Sequence, residues 1–142
     1  MLAGLFALAV AAIFAGAALY VGSVEQPARL GLDIQAALAE WRPAYKGGTA
    51  MQAPLAVIGF LLGALAWWQT REPGFGVGAL AMIANWPWTL LVIMPVNRKL
   101  MADDAARTDL QTRALLEKWG HLHTVRIAFG LLATVASLWA LA

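Results

Sequence analysis

The sequence predicts an all-α integral membrane protein, a four-helix bundle with up-down topology. Hydrophobic residues make up 61% of the 142-residue chain and charged residues only 13%, whereas soluble domains are roughly 45–50% apolar and about 25% charged. Four separate stretches are long and apolar enough to cross a hydrocarbon core about 30 Å thick. No stretch alternates with a period of two, which disfavours a transmembrane β-barrel. We therefore expect a single transmembrane domain over residues 1–142.

The four predicted spans differ in how they are bounded. The first has no charged residue and no basic segment before it, and it is longer than the ~7–15 apolar residues of a signal peptide, so we expect it to remain as a span. A short, turn-like segment from Gln69 to Gly74 separates the second and third, and the fourth contains a single charge, Arg126. The spans cover residues 2–24, 51–68, 75–96 and 122–141.

The lysines and arginines indicate the orientation of the chain. Nine of the ten flank the connections between spans one and two and between spans three and four, and only Arg71 lies on the other side. Because basic loops stay in the cytoplasm, both termini should lie outside, with structured cytoplasmic connections, in the inner cell membrane. Basic residues that flank apolar spans, instead of forming one run, do not indicate a nucleic-acid partner.

The first long connection, from Pro27 to Tyr45, has a helical pattern. Its apolar residues recur at helical spacing and Pro27 suits the first turn of a helix. Two alternatives remain open for this segment, namely a short interfacial helix or a bent continuation of span one. The apolar residues of the pattern are Leu30, Ile34, Leu38 and Trp41.

The second long connection, from Ala102 to Trp119, also has a helical pattern. Two pairs of opposite charge lie four residues apart, which supports a helix that leads directly into span four. The pairs are Asp103 with Arg107 and Asp109 with Arg113.

Two tryptophans in the middle of span three require hydrogen-bond partners. Trp86 and Trp88 flank Pro87, and Asn85 and Thr89 add polar groups at the same depth. An indole N–H in a bilayer needs an acceptor, and the proline frees a backbone carbonyl and should kink the helix. The segment is therefore either a kinked helix whose polar groups pair with neighbouring helices or the wall of an aromatic pocket.

Polar side chains at the cytoplasmic ends of the spans form the candidate site. Ionisable groups in or near membrane spans are costly and are functional candidates by default, and a polar cluster at one end of an apolar bundle is a plausible substrate site. Trp119, His123 and Arg126 follow at i, i+4 and i+7 and share one helical face. The other members, from three separate segments, are Glu25, Arg29, Tyr45, Gln52 and Asn97.

A structural role is the alternative for this cluster, with Arg126 neutralising Glu25 and His123 buried as a hydrogen-bonding residue. We predict no metal ligands. The chain lacks cysteine, and its two histidines, His121 and His123, point roughly 200° apart unless Gly120 breaks the helix. The paired Glu-x-x-His motifs of di-iron bundles are also absent.

Four segments of the chain resemble the anthrone oxygenase-like family of small membrane proteins. The most specific parts are the Pro-x-Asn element of the third segment and the Trp…His-x-x-Arg element of the fourth. The resemblance implies a four-span bundle and, as in fungal polyketide pathways, oxidation of the central CH2 of an anthrone to a quinone carbonyl with O2. The segments are Glu25–Arg29, Trp41–Tyr45, Met94–Leu100 and Trp119–Arg126.

The resemblance leads us to expect a membrane oxidoreductase that acts without a cofactor on a flat, apolar phenolic or anthrone-like molecule. The reaction needs a base, an oxyanion-binding group and a dry aromatic slot. As a hypothesis, His123 is the base and is oriented by Glu25, while Arg126 and Asn97 stabilise the oxyanion. The predicted substrate-binding residues are Trp119, Tyr45, Gln52, Trp86, Trp88 and Arg29.

Two alternatives belong to other functional classes. One is a non-catalytic membrane protein that binds a small molecule or assists assembly, and the other is a metal or haem redox protein. The bilayer and an apolar aromatic molecule are the expected partners. A homo-oligomer is possible because small residues such as Ala11, Ala15 and Gly22 allow close helix contact within or between chains.

Overall fold

The computed structural model describes all 142 residues and contains four long helices without strands. Each helix is long and apolar enough to cross a membrane. The predicted all-α fold with four spans is therefore confirmed. The helices are α1, Leu2–Leu30; α2, Ile34–Thr70; α3, Pro73–Met101; and α4, Asp109–Leu141.

The four helices pack side by side in a closed ring. Both α1 and α3 pack against α2 and α4, and the diagonal pairs touch far less. Many large apolar side chains, such as those of Leu91 and Trp68, remain exposed on the outside, as expected where lipid is the solvent. We call the end that carries the α1–α2 and α3–α4 connections the basic end. Its placement in the cytoplasm remains a prediction from the charge distribution.

The interior changes character along the bundle. The middle is packed mostly by alanines together with Phe14 and Met82, and small residues of this kind let helix backbones approach closely. At the basic end the core is larger and contains Trp41, Leu100 and Trp119. The bulky side chains there hold the helices around the polar residues of the candidate site.

The first connection differs from both predicted alternatives. Helix α1 continues through a π-helical turn, Val21–Glu25, as far as Leu30. The chain then breaks for three residues and α2 begins, capped by Asp33, whose side chain accepts from the Ala36 N–H at 3.0 Å. Residues 27–30 of the connection thus extend α1 and residues 34–45 extend α2, so a separate interfacial helix is wrong.

A second π-helical turn, Thr89–Ile93, lies in α3, and in each case a proline follows two residues later, at Pro27 and Pro95. Proline cannot donate a backbone hydrogen bond, and π turns inside α-helices occur frequently at functional sites. Both turns lie close to the basic end. The backbone is therefore irregular in the two helices that contribute Glu25 and Asn97 to the candidate site.

The second connection is less helical than predicted. Residues 102–108 form no helix, and α4 begins at Asp109 behind a capping box formed by Thr108 and Gln111. Because the segment is not helical, Asp103 and Arg107 do not pair, and the Arg107 Nε instead donates to the Thr112 hydroxyl at 2.9 Å.

The second predicted ion pair is also absent, although both of its residues lie in α4. Arg113 donates to the Leu30 carbonyl at 3.1 Å, and Asp109 accepts from the Gln35 amide at 2.7 Å. Contacts between helices have replaced the local pair, and they fasten α4 to the ends of α1 and α2.

Replacing Gly74 by alanine should lower the thermal midpoint of the detergent-solubilised protein. A Cβ at this position would lie 2.5 Å from the Ala136 carbonyl oxygen in α4, and overpacking of this kind typically costs about 1–3 kcal/mol. The matched control is Gly16→Ala, because nothing lies within 4 Å of its added Cβ and alanine favours a helix by about 0.5–1 kcal/mol. A Gly74→Ala protein that melts at or above the wild-type temperature would contradict this packing.

Candidate functional site

All four helices contribute side chains to one buried chamber at the basic end, which we call the polar chamber. Its free space is about 30 Å³. Eight of the ten predicted site residues line it; Trp86 and Trp88 do not. The lining residues are Val21, Glu25, Arg29, Trp41, Ala44, Tyr45, Gly48, Thr49, Gln52, Ile93, Asn97, Trp119, His123 and Arg126.

His123 is held in one orientation by α1. Its Nε2 lies 3.0 Å from the Ala18 carbonyl oxygen. Because a carbonyl can only accept, this nitrogen carries the proton and donates it, which leaves the lone pair on Nδ1. The Nδ1 atom is buried and has no partner. The Trp119 ring stacks on the imidazole with centroids 5.1 Å apart and an interplanar angle of 17°.

The predicted role of Glu25 in orienting His123 is wrong. The carboxylate of Glu25 pairs with Arg29 on the next turn of the same helix. The imidazole is instead oriented by the Ala18 carbonyl, and Gly22 allows this approach, because a Cβ there would lie 2.6 Å from the Ile127 side chain on α4. Backbone acceptors carry no side-chain signature, so the sequence did not indicate this partner.

Arg29 is buried and engaged by three side chains. It donates to Glu25, to the Gln26 Oε1 at 2.5 Å and to Glu40 of α2, and its guanidinium lies 5.6 Å from the centre of the Trp119 ring. Arg29 therefore joins α1 to α2 and forms a wall of the polar chamber. Neither Gln26 nor Glu40 was predicted from the sequence. The alternative in which Glu25 pairs with Arg126 is not observed.

Removing the Arg29 charge should destabilise the protein. In Arg29→Met the carboxylates of Glu25 and Glu40 would face each other without a cation. Since both are partly exposed, water would compensate in part, and we expect a loss of about 1–3 kcal/mol. Unfolding by a denaturing detergent measures the change. Arg98→Met, at an exposed residue of α3, is the control and should leave stability unaltered; equal stability of the two variants would contradict the buried network.

Two further side chains present unpartnered polar atoms to the polar chamber. Arg126 donates from Nη2 to the Gln52 Oε1 at 2.9 Å, but its Nε is buried without a partner. Asn97 is only 1% exposed, and neither its amide nitrogen nor its oxygen has a partner. Buried polar groups are nearly always hydrogen-bonded. These atoms and the His123 Nδ1 belong to residues that line the same chamber.

Aromatic rings cover one side of the polar chamber. Tyr45 stacks on Trp41 with centroids 4.9 Å apart, and Trp41 meets Trp119 edge to face at 5.9 Å. Sequence reasoning assigned Trp41 to the apolar side of a helix and to one of the segments that resemble the family, but not to the candidate site. Trp41 lies four residues before Tyr45, just as Trp119 lies four residues before His123. This spacing could have identified Trp41 as a residue of the site.

The predicted role of Trp88 as a wall of this site is wrong. Its indole donates to the Leu122 carbonyl of α4 at 3.1 Å, and the side chain packs against the apolar core of the basic end. Trp86 donates to the Ala53 carbonyl of α2 at 3.2 Å and lines a second cavity between α2 and α3. Both indoles thus pair with neighbouring helices, as one of the two interpretations required.

The two histidines do not share a ligand site. Gly120 lies within the continuous helix α4, and His121 is exposed whereas His123 is buried. Within the whole chain, no group of three or more His, Cys, Asp or Glu side chains is arranged to hold a metal ion.

The sequence profile of the family described as anthrone oxygenase matches residues 41–136, a range that includes Trp41, Asn97, His123 and Arg126. The chain is 34% identical over 102 residues to anthrone oxygenase tpcL of Aspergillus fumigatus. The match covers 66% of this chain and 63% of that protein. The match thus spans slightly less than two thirds of the relative. No solved structure matches the chain.

Proposed function

Because this chain belongs to the anthrone oxygenase family, we propose that it is a membrane oxygenase that oxidises a flat, apolar, anthrone-like phenolic molecule with O2. Family membership suggests an oxygenase-like activity. The observation that supports the finer assignment is the convergence of three unpartnered polar groups on one buried chamber, namely the Nδ1 of His123, the amide of Asn97 and the Nε of Arg126.

Removal of a proton is the first step of the proposed reaction. The ketone and the two flanking rings acidify the CH2 group of an anthrone, so that a modest base suffices. The lone pair at the His123 Nδ1 accepts this proton, and the electron pair left on carbon delocalises onto the ketone oxygen. General-base catalysis by a positioned histidine typically contributes about 10²–10⁴-fold.

The oxyanion formed in this step requires hydrogen-bond donors. The Asn97 amide and the Arg126 Nε have donors to offer and no other acceptor. Donors that are already oriented inside a site of low polarity stabilise a developing negative charge far better than water does. Gln52, which accepts from the Arg126 Nη2, acts as a positioning residue for the guanidinium.

Oxygen then reacts with the carbanion. One electron passes to O2, and the carbon radical and superoxide combine to form a C–O bond. Loss of the second CH2 proton with cleavage of the O–O bond yields the quinone carbonyl, while the other oxygen atom leaves as water. Both electron pairs come from the two C–H bonds, and O2 is the oxidant, so the sequence of steps balances without a cofactor.

Turnover in lipid nanodiscs tests this proposal. We expect purified protein to convert an anthrone to the anthraquinone with one O2 consumed per quinone formed, and to stop when O2 is removed. Because anthrones oxidise slowly by themselves, empty nanodiscs and heat-denatured protein supply the baseline. A rate no higher than this baseline would refute the oxygenase, and retained binding without turnover would identify a non-catalytic binding protein.

A further inference from the structure

A second cavity lies beside the polar chamber, in the surface groove between α2 and α3, which we call the lateral groove. Its free volume is about 190 Å³, against about 30 Å³ for the polar chamber. At its mouth the side chains of Trp86 and Leu90 are 41% and 52% exposed on the lipid-facing surface. Its lining residues are Tyr45, Thr49, Ala53, Ala56, Asn85, Trp86, Thr89, Leu90, Met94 and Arg126.

The lateral groove contains a polar atom that nothing in the protein satisfies. Asn85 is 2% exposed, and its amide nitrogen donates to the carbonyls of Ala81 and Met82 at 3.2 and 3.1 Å. These bonds identify which amide atom is nitrogen. The Oδ1 therefore lines the groove as an acceptor without a donor. Leaving a buried acceptor unpaired costs about 1–3 kcal/mol, which a ligand hydroxyl would recover.

The lateral groove and the polar chamber share a wall. Tyr45, Thr49 and Arg126 line both cavities, and the unpaired Nε of Arg126 is a donor at this boundary. A ligand in the groove would thus meet an acceptor, Asn85, and a donor, Arg126, separated by an apolar surface. The groove has the larger free volume of the two cavities and can hold more of a ring system than the polar chamber can.

We propose that the lateral groove binds the ring system of the substrate, a flat aromatic ketone that enters from the bilayer and donates a ring hydroxyl to the Asn85 Oδ1. The carbonyl edge of the ligand accepts from Arg126 at the inner end of the groove. The choice of ligand class rests on the proposed function; the position of the site rests on the groove itself. The central ring of the ligand then lies at the wall that the two cavities share, with its reacting CH2 group and ketone oxygen presented to His123 and Asn97 in the polar chamber.

Equilibrium dialysis with the protein in nanodiscs tests the site, with empty nanodiscs as the baseline for partition into lipid. The probes are anthraquinone and a hydroxyanthraquinone whose hydroxyl lies on an outer ring and is un-ionised at the pH used. We expect the wild type to bind the hydroxylated probe about tenfold more tightly, as one hydrogen bond to a buried acceptor implies. In Asn85→Leu this preference should vanish.

A second pair of variants separates the groove from an effect on folding. Ala53→Leu places a larger side chain in the lateral groove and should abolish binding of both probes. Ala64→Leu, on the same face of α2 three turns away and outside the groove, should bind both as the wild type does. Wild-type binding by Asn85→Leu and Ala53→Leu would overturn the proposal, and so would a tightly held lipid that excludes both probes from the wild type.

These outcomes are distinct from a failure of the proposed function. The quinone probes cannot undergo the oxidation, so binding is measured without turnover. Specific binding in the groove without anthrone oxidation would refute the proposed oxygenase activity and support the proposed binding site. Oxidation at the wild-type rate in Ala53→Leu would refute the proposed binding site and support the proposed oxygenase activity.

Discussion

Replacing His123 by glutamine should reduce the initial rate of anthrone oxidation about 10²–10⁴-fold. Glutamine keeps an N–H donor that can satisfy the Ala18 carbonyl, the partner of His123 in α1, but it offers no nitrogen lone pair to accept a proton. The variant should therefore fold and lose the base. Rates in nanodiscs and thermal midpoints in detergent measure the two effects separately.

The chain provides a close control for this variant. His121 lies two residues away on the same helix and is exposed, so His121→Gln should retain the wild-type rate. Full activity in a folded His123→Gln protein would remove the base from the mechanism. A parallel loss of rate and of folded protein in His123→Gln would instead identify a structural histidine.

The second large effect is expected from Asn97→Leu, which should lower the rate about 10²–10³-fold, as loss of one oxyanion donor does. Its stability should be unchanged or higher. The Asn97 amide is buried with neither of its polar atoms paired, and an apolar side chain of similar size removes the cost of burying them. Rate and stability should thus change in opposite directions.

Thr112→Val is the matched comparison, because Thr112 is also a buried polar residue of the basic end but is fully paired. Its hydroxyl donates to the Thr108 carbonyl at 3.2 Å and accepts from Arg107 at 2.9 Å. We expect this variant to lose about 1 kcal/mol of stability and to keep its rate once folded. If Asn97→Leu kept the wild-type rate, Asn97 would be a packing residue and the oxyanion site would lack its amide.

The number and position of the spans could be predicted because hydropathy is a local property of the chain. Each predicted span lies inside one observed helix. The ends of the helices were predicted less well, because they depend on caps and on contacts with other helices. The Asp33 cap, for example, assigns Ile34 to α2, whereas the repeating pattern of apolar residues continues across the break.

Most residues of the candidate site could also be predicted from the sequence. Trp119, His123 and Arg126 share a helical face by spacing alone, and Glu25, Asn97 and Gln52 lie near the ends of spans that must meet at one side of the membrane. The depth of a residue along a helix, and the direction in which its side chain points around the helix axis, follow from its residue number. The set of side chains that line the polar chamber was therefore largely accessible from the sequence.

The partners of those side chains were decided only by the tertiary structure. The sequence by itself determined four apolar helices and a polar layer at one end, since both follow from which residues are near each other along a helix. That His123 donates to the Ala18 carbonyl, that Arg29 reaches Glu40, and that Trp88 turns to α4 depend on how each helix is rotated and shifted against its neighbours. Rotation and shift arise from packing between distant residues, and backbone acceptors are the same at every position.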